Sequence, residues 1–501
     1  MAERVAQFMD LPDSCLALAF AYLAEGSLAC SAATCTQIVS VARADRLWLP
    51  LAARRWRFGT AATSSSLLTP GARDVASANA LAAALAVPLN RETDAFGFFH
   101  RRCNIDFMVA TLTLQFDAAK SVRGTPAGGK RHPMVGAVVQ IDGLVKAPQY
   151  NGCSAVVTSA VSSETDASQE RCGVTLLSLP FFRTLSVNLN RLTVLRPALS
   201  LADAQKHVLE IGVDSVDILL RLSLLPDSAS RGTASYLLGL VKEEWAVKQW
   251  EVLLQDPSRA DLLEEGGLVL SQWADPSIDV SAVRAQLKSL ADSASSQTAA
   301  GASLRDRIDI VNRVLFDEYG LTGNVTNYYD PNNSFLHAVL KARKGIPISL
   351  SIIWAALARR LAIPCFLCPS MPQHVLVRVS TGTNSVTEDM YLDVFGRKTM
   401  DFQGLQAFVN GMGIPFNALV NTDFVAERPA TAVYARQLRN LMGIYGSALE
   451  RNTRWDVAGL QDYIAVLSQS IVVAGAAEQR GLRQQRDMVR EQRDRALGIV
   501  G

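Results

Sequence analysis

No apolar run in this chain approaches the ~18 residues that a membrane-spanning helix needs. Charge of one sign is scarce as well: 49 Lys and Arg against 47 Asp and Glu leave a net charge of +2. That balance, with a pI near 8.1, argues against a strongly electrostatic nucleic-acid binder. The 8 cysteines follow no regular spacing, so a disulfide framework is not expected and a reducing compartment is. The N-terminus has no basic segment leading into an apolar one. It places Glu3, Asp10 and Asp13 in its first turns, and no signal peptide is expected. The expectation is a soluble protein of the cytoplasm, the nucleus or both. Hydrophobic residues at 49% and charged residues at 19% give an ordinary globular balance. At ~100–200 residues per domain, a chain of this length holds about three or four domains.

The most informative stretch runs from Asp330 to Phe395. Pro347 stands where a helix can begin, since proline is tolerated in the first turn. Leu350, Ile353, Trp354, Leu357 and Leu361 then recur along one helical face, and Pro364 stops the helix. Two short apolar runs follow, His374–Val379 and Tyr391–Phe395, each reading as a strand. Helix start, strand with His, strand with Asp is the order of a papain-like Cys-His-Asp site. A helix N-terminus lowers a thiol's pKa, a neighbouring His takes its proton, and an Asp orients the imidazole.

The segments FDEYGLTGN, NYYDPNNSFLHAVLKARKGIPISLS, LARRLAIP and HVLVRV resemble signature segments of the transglutaminase-like family, in its SirB-type branch. LLEEGGLVLSQWADPSIDV, around Leu262 to Val280, is similar to that branch's upstream helical segment. The resemblance covers roughly Leu201 to Val425. In active members it implies a Cys two residues after the helix-opening glycine. Here Gly345 is followed by Ile346 and Pro347, so no thiol acts from that position. His374 and Asp393 match the family's second and third positions. Ser349 and Ser351 lie in the first turns. A serine there is first a hydrogen-bonding cap, and its hydroxyl needs a close base to react. A site that has lost its nucleophile is therefore favoured over one in which Ser349 substitutes, and His374 and Asp393 also read simply as a hydrogen-bonded pair tying two strands.

Met1 to about Phe58 reads as a helical unit. It opens with Leu11-Pro12-Asp13, carries Leu16, Phe20, Leu23, Leu28, Ala32 and Cys35 at helical spacing, and closes on Leu47-Trp48. This resembles an F-box, with Thr34 where Val is usual. The alternative is an unremarkable three-helix start whose leucines fill a core. An F-box implies that Leu11, Pro12, Leu16, Leu23, Leu28, Leu47 and Trp48 contribute to an apolar face that binds a Skp-type adaptor and, through it, a cullin–RING ubiquitin ligase.

Residues 59–105 read as a linker with helix, including a cluster of Phe96, Phe98, Phe99, His100, Arg101 and Arg102 better explained by helix packing than by base stacking. Phe107–Phe116 alternates weakly. Short runs then recur (VGAVVQI, SAVVTSAV, CGVTLLSL, TLSVNL), separated by Gly143, Pro148, Asn151-Gly152, Gly173 and Pro180. They imply a small β-barrel. The Gln149–Gly152 element and LSVNLNRLTVL resemble SH3-like barrels, and hemimethylated-DNA-binding-type domains share the layout. Because Lys146, Arg171, Arg183, Arg191 and Arg196 are scattered singly, a structural or peptide-binding role is expected ahead of DNA binding.

Cys365 and Cys368 form a CxxC near His374, but no second CxxC follows, so a buried strand pair is expected rather than a zinc site. Cys368 as a relocated nucleophile is the weaker alternative. Tyr434–Tyr445 and Leu460–Ile471 read as two amphipathic helices similar to a tetratricopeptide-like pair, and Arg480–Arg495 as a solvated charged helix. The whole is a multidomain α+β protein: F-box 1–58, linker 59–105, SH3-like barrel 106–198, SirB-type papain/transglutaminase-like α+β domain 199–425 and helical tail 426–501. No cofactor and no metal is expected. The leading expectation is a target-recruiting subunit of an SCF-type ubiquitin ligase. The rivals are an amide hydrolase or acyl transferase, and a scaffold outside the ubiquitin system.

Overall fold

The computed structural model describes residues 95–123, 135–161, 171–176, 183–224, 230–383, 385–414, 424–451, 457–497 and 499. The F-box-like segment and most of the linker lie outside these, including Leu11, Pro12, Leu16, Leu23, Leu28, Leu47 and Trp48. The chain divides into two units, residues 1–241 and 242–501.

In the first unit a long helix α1 (Ala95–Arg123) precedes five strands: β1 (Val138–Ile141), β2 (Ser154–Val161), β3 (Arg171–Leu176), β4 (Arg183–Asn188) and β5 (Leu192–Arg196). Their order is β4-β3-β2-β1-β5, antiparallel throughout. The expected strands are present. Both sheet faces are covered, which is why β1 reads as a continuous apolar run instead of an alternation. Val139, Ala155, Val157 and Val174 share one core, while Val138 and Val156 meet Leu114 of α1 on the other side. Phe107–Phe116 belongs to that helix and is no strand. Val109 to Phe116 are all buried, the polar Thr111, Thr113 and Gln115 among them, and a helix buried on every side carries no clear 3.6-residue signal. Helices α2 (Leu201–Ile211), α3 (Val216–Ser223) and the first part of α4 (Arg231–Leu253) complete the unit.

The second unit is built from α5 (Leu262–Ala274), α6 (Val280–Ser296), α7 (Leu304–Asn312), α8 (Leu336–Ala342) and α9 (Pro347–Arg360), with a π-helical turn at Arg313–Glu318. A two-residue parallel pairing joins β6 (Thr322–Gly323) to β7 (Lys344–Gly345). Four antiparallel strands follow in the order β11-β10-β9-β8: β8 (Cys365–Cys368), β9 (Leu376–Val379), β10 (Met390–Asp393) and β11 (Lys398–Met400). Helix α9 is the centre of the core. Residues 347–358 are all buried, so the single apolar face read from the sequence is part of a helix enclosed on all sides. Ala355, Ala356 and Ala358 let neighbours approach closely. Trp250 and Trp273 are buried, and the Trp250 Nε1–H donates to Gln469 Oε1 at 3.0 Å.

After α10 (Phe402–Gly411), the helices α11 (Ala430–Arg451), α12 (Val457–Val473) and α13 (Ala476–Ala496) pack in sequence. The charged helix α13 departs from the solvated reading. Arg490 donates to Glu243 Oε1 at 2.6 Å and the buried Arg493 to Gln461 Oε1 at 2.7 Å, so two of its arginines seal a polar core with Ser468. Spacing could not show this, because the partners are more than 30 residues away. Among the described residues no helix is long and apolar enough to cross a membrane.

Candidate functional site

Helix α9 starts as the sequence requires, with Ile346 at the N-cap and Pro347 in the first turn. Pro347 presents no side chain that can attack a carbonyl. Ser349 is fully buried. Its Oγ donates to Asn333 O at 2.6 Å and accepts the Ile346 N–H at 3.2 Å. The hydroxyl is thus committed to backbone partners, Ile346 of its own turn and Asn333 of the turn at Pro331–Ser334, and among the described residues no side-chain base hydrogen-bonds to it. Ser351 is buried too, its Oγ without a hydrogen bond.

His374 sits just ahead of β9 and Asp393 ends β10. Since Leu392 of β10 pairs with Val377 of β9, the sheet register brings the two side chains together. His374 Nε2 lies 2.8 Å from Asp393 Oδ1, with side-chain exposures of 13% and 7%. Asp393 Oδ1 also accepts the Gly396 N–H at 2.9 Å. Burial pushes the Asp393 carboxyl up, but the His374 hydrogen bond and charge and the N–H groups of Gly396 and Phe395 outweigh it and hold the group below its ordinary value. An ionised Asp393 only accepts, so His374 Nε2 is the donor of this hydrogen bond. Among the described residues Nδ1 makes no hydrogen bond. Gly396 is required here: a Cβ at that position would stand 2.3 Å from Asp393 Oδ2.

Aromatic rings frame the histidine. Phe395 meets it edge-on at 6.2 Å and Phe408 of α10 lies at 5.4 Å. Tyr328 packs on Phe395 at 6.3 Å and on the exposed Tyr329 at 5.4 Å. Arg436 of α11 donates to the carbonyls of Pro369 and Met371, holding the loop before His374. Sequence reasoning passed over Phe408 and Arg436. Their signal is tertiary, since both lie on later helices.

Cys365 and Cys368 form strand β8, as expected, and burial pushes both thiols up to about 12. A thiol that reluctant to ionise is no nucleophile, which removes Cys368 as a relocated one. Among the described residues no three His, Cys, Asp or Glu side chains converge as metal ligands.

Two of the quoted segments meet away from this site. Glu264 of LLEEGG accepts from Arg359 at 3.0 Å and from Arg360 at 2.7 and 2.8 Å, the two arginines of LARRL. Burial raises the Glu264 carboxyl, but both guanidinium groups bring it below its ordinary value. This clasp joins the first turn of α5 to the last turn of α9, each charge at the helix end that favours it.

Comparison with known proteins bears on the same region. Residues 281–439 match the model of the transglutaminase-like superfamily. The chain is 35% identical over 151 residues to a UPF0162 protein of Xylella fastidiosa, covering 30% of this chain and 50% of that one. It is 28% identical over 191 residues to F-box only protein 21 of Mus musculus, covering 33% and 30%. A UPF0162 protein of Vibrio cholerae is 28% identical over 149 residues, covering 30% and 54%. The chain thus spans about half or less of the length of these relatives, and no solved structure matches it. With the helix start at Pro347 and the His374–Asp393 pair inside the matched residues, this chain carries a transglutaminase-like domain, homologous to parts of F-box only protein 21 and of UPF0162 proteins.

Proposed function

We propose that this protein recruits targets to an SCF-type ubiquitin ligase, and that its transglutaminase-like domain holds the target instead of cutting it. The observation that carries this reading is Pro347 at the position that the resemblance assigns to the nucleophile, together with an intact His374–Asp393 pair. Acyl transfer needs an attacking thiol or hydroxyl within reach of the imidazole. Proline supplies neither, and Ser349 spends its hydroxyl on Asn333 O. What is left is an oriented imidazole among aromatic rings, suited to grip a peptide side chain. The ligase half of the reading rests on the F-box-like pattern from Leu11 to Trp48 and on similarity to a protein named F-box only protein 21. The SH3-like layout of β1–β5 fits an additional peptide-binding module. A Skp-type adaptor and a cullin–RING complex are the partners, and the cytoplasm or nucleus is the compartment.

The test is binding of the purified full chain to a Skp-type adaptor, with Leu11→Ala/Pro12→Ala as the paired variant. Capture by the unmutated chain and loss in the variant is the expected result. An unmutated chain that fails to bind removes the ligase reading. One observation favours a second reading: the uncommitted Nδ1 of His374 is oriented as a base for water. Hydrolysis of an activated ester or amide that disappears in His374→Ala would favour the hydrolase over the holder.

A further inference from the structure

The π-helical turn at Arg313–Glu318 turns two aromatic rings toward two arginines from distant elements. The Arg343 guanidinium lies 5.1 Å from the Tyr319 ring centre, and that of Arg397 lies 5.4 Å from the Phe316 ring centre. Both arginines flank one short segment. Arg343 O accepts the Thr322 N–H at 3.0 Å, and Arg397 Nη2 donates to Leu321 O at 2.7 Å. Both also hold left-handed backbone, with φ of 56° and 55°. Glycine or asparagine takes that conformation at less cost, so the presence of two long cationic side chains there points to a use for them. Lys344 and Lys398 stand next to them, and all four are exposed. Neither arginine has an ion-pair partner among the described residues. The neighbouring Glu318 is occupied by Gln297 and Arg313, which leaves the exposed Asp317 as the nearby acid on that turn.

This patch adjoins the His374 site along two lines of chain. Arg343 and Lys344 lead through Gly345 and Ile346 to Pro347. Phe395, whose ring meets His374, is two residues before Arg397. The segment between the arginines touches the same ring: a Cβ on Gly323 would fall 2.6 Å from Phe395. We infer that Arg343 and Arg397 form an acceptor for an acidic stretch of polypeptide flanking the segment held at His374. This inference rests on the target-holding reading and adds the chemistry of the target. A guanidinium held over a ring can offer its in-plane N–H donors to carboxylate or phosphate oxygens, and Arg397, with Nη2 donating to Leu321 O, has its other N–H groups for that use. A protein ligand is preferred over nucleic acid because the patch is confined to one lip of the site in a chain of net charge +2.

The experiment measures fluorescence anisotropy of the full chain with three labelled dodecapeptides of one central sequence, flanked by four Gln, four Glu or four phosphoserines. At low salt the Glu peptide is expected to bind about tenfold more tightly than the Gln peptide, from a few-fold per exposed ion pair. That advantage should shrink as salt screens it. Arg343→Gln/Arg397→Gln, checked by thermal melting, should bring the ratio near one, and Arg343→Lys/Arg397→Lys should restore most of it. A phosphoserine advantage well above that of Glu would identify phosphorylated targets as the source of the charge. A wild-type ratio near one, a ratio unchanged in the double Gln variant, or tighter binding of a single-stranded oligonucleotide overturns the assignment. Tyr328→Leu separates the two proposals. If the Glu peptide responds to the arginine variants and not to Tyr328→Leu, the patch stands and the reading of His374 as a holder falls.

Discussion

The clasp between Glu264 and the arginines 359 and 360 allows a stability prediction of definite size. Glu264 has 4% side-chain exposure, while Arg360 has 23% and Arg359 has 37%. Removing the carboxylate leaves two guanidinium groups at the end of α9 without their main acceptor. Breaking a buried ion pair from one side costs about 3–5 kcal/mol. Because Arg359 can turn to water, the lower part of the scale applies, and Glu264→Gln should cost about 2–4 kcal/mol. For a unit of this size, that is a fall in Tm of roughly 5–15 °C. The pH dependence has a fixed sign. The folded Glu264 carboxyl lies below its ordinary value, so its contribution is complete above the unfolded-state value and fades as pH falls through the folded one. Thermal melts of both proteins from pH 7 to pH 3 should therefore differ most at pH 7 and converge in acid. Equal Tm values at pH 7, or a gap independent of pH, would refute the reasoning. A double-mutant cycle with Arg360→Gln should return a coupling of about 1–3 kcal/mol.

Gly396→Ala should push a methyl group against Asp393 Oδ2, costing about 1–3 kcal/mol and disturbing the His374 nitrogen shifts in 15N NMR. Gly411→Ala, with open space at its Cβ, should leave those shifts in place. Pro347→Cys places a thiol at a helix N-terminus, where its pKa falls. Residue 347 is buried, so the check is thiolate absorbance in a pH titration, where the variant should add an ionisation step below the ordinary thiol range that the parent protein, with Cys365 and Cys368 pushed up to about 12, does not show. In the parent protein, both of those cysteines should stay unlabelled by iodoacetamide until the fold is opened, given thiols at about 12. Trp250→Phe removes the donor to the buried Gln469 Oε1 and should lower stability by about 1–3 kcal/mol in urea melts.

The site was legible where its chemistry is written locally. Pro347 marks a helix start by its missing N–H and fixed φ, and the short apolar runs His374–Val379 and Tyr391–Phe395 mark two strands. Antiparallel pairing then leaves little freedom in how those two side chains meet. The ring of Phe408 and the guanidinium of Arg436 were not legible, because each reaches the site from a helix whose own periodicity says nothing about its neighbours. The same limit hid the Glu264 clasp. LLEEGG and LARRL each look like a helix end with suitable charge, and only the packing of α5 on α9 makes them partners. Phe107–Phe116 failed for another reason. Thr111, Thr113 and Gln115 are buried along with the apolar residues between them, so polarity in this segment does not report which side faces water, and the choice between strand and helix passed to the elements around it.

Burial accounts for the His374–Asp393 pair itself, but not for its surroundings. Asp393 is buried, and an unpartnered buried carboxylate is costly. His374 offsets that cost through Nε2, so the pair would persist for structural reasons even with no ligand. The Nε2 bond does not account for the rest of the arrangement. Phe395 and Phe408 meet the same imidazole, Arg436 holds the preceding loop by two carbonyls, and Gln373 adopts left-handed backbone to aim the next residue. Tying two strands together needs none of these. On the proposed reading, an imidazole held through Nε2 and framed by aromatic rings meets a target side chain, and because Pro347 supplies no thiol or hydroxyl that meeting is a grip and not an attack.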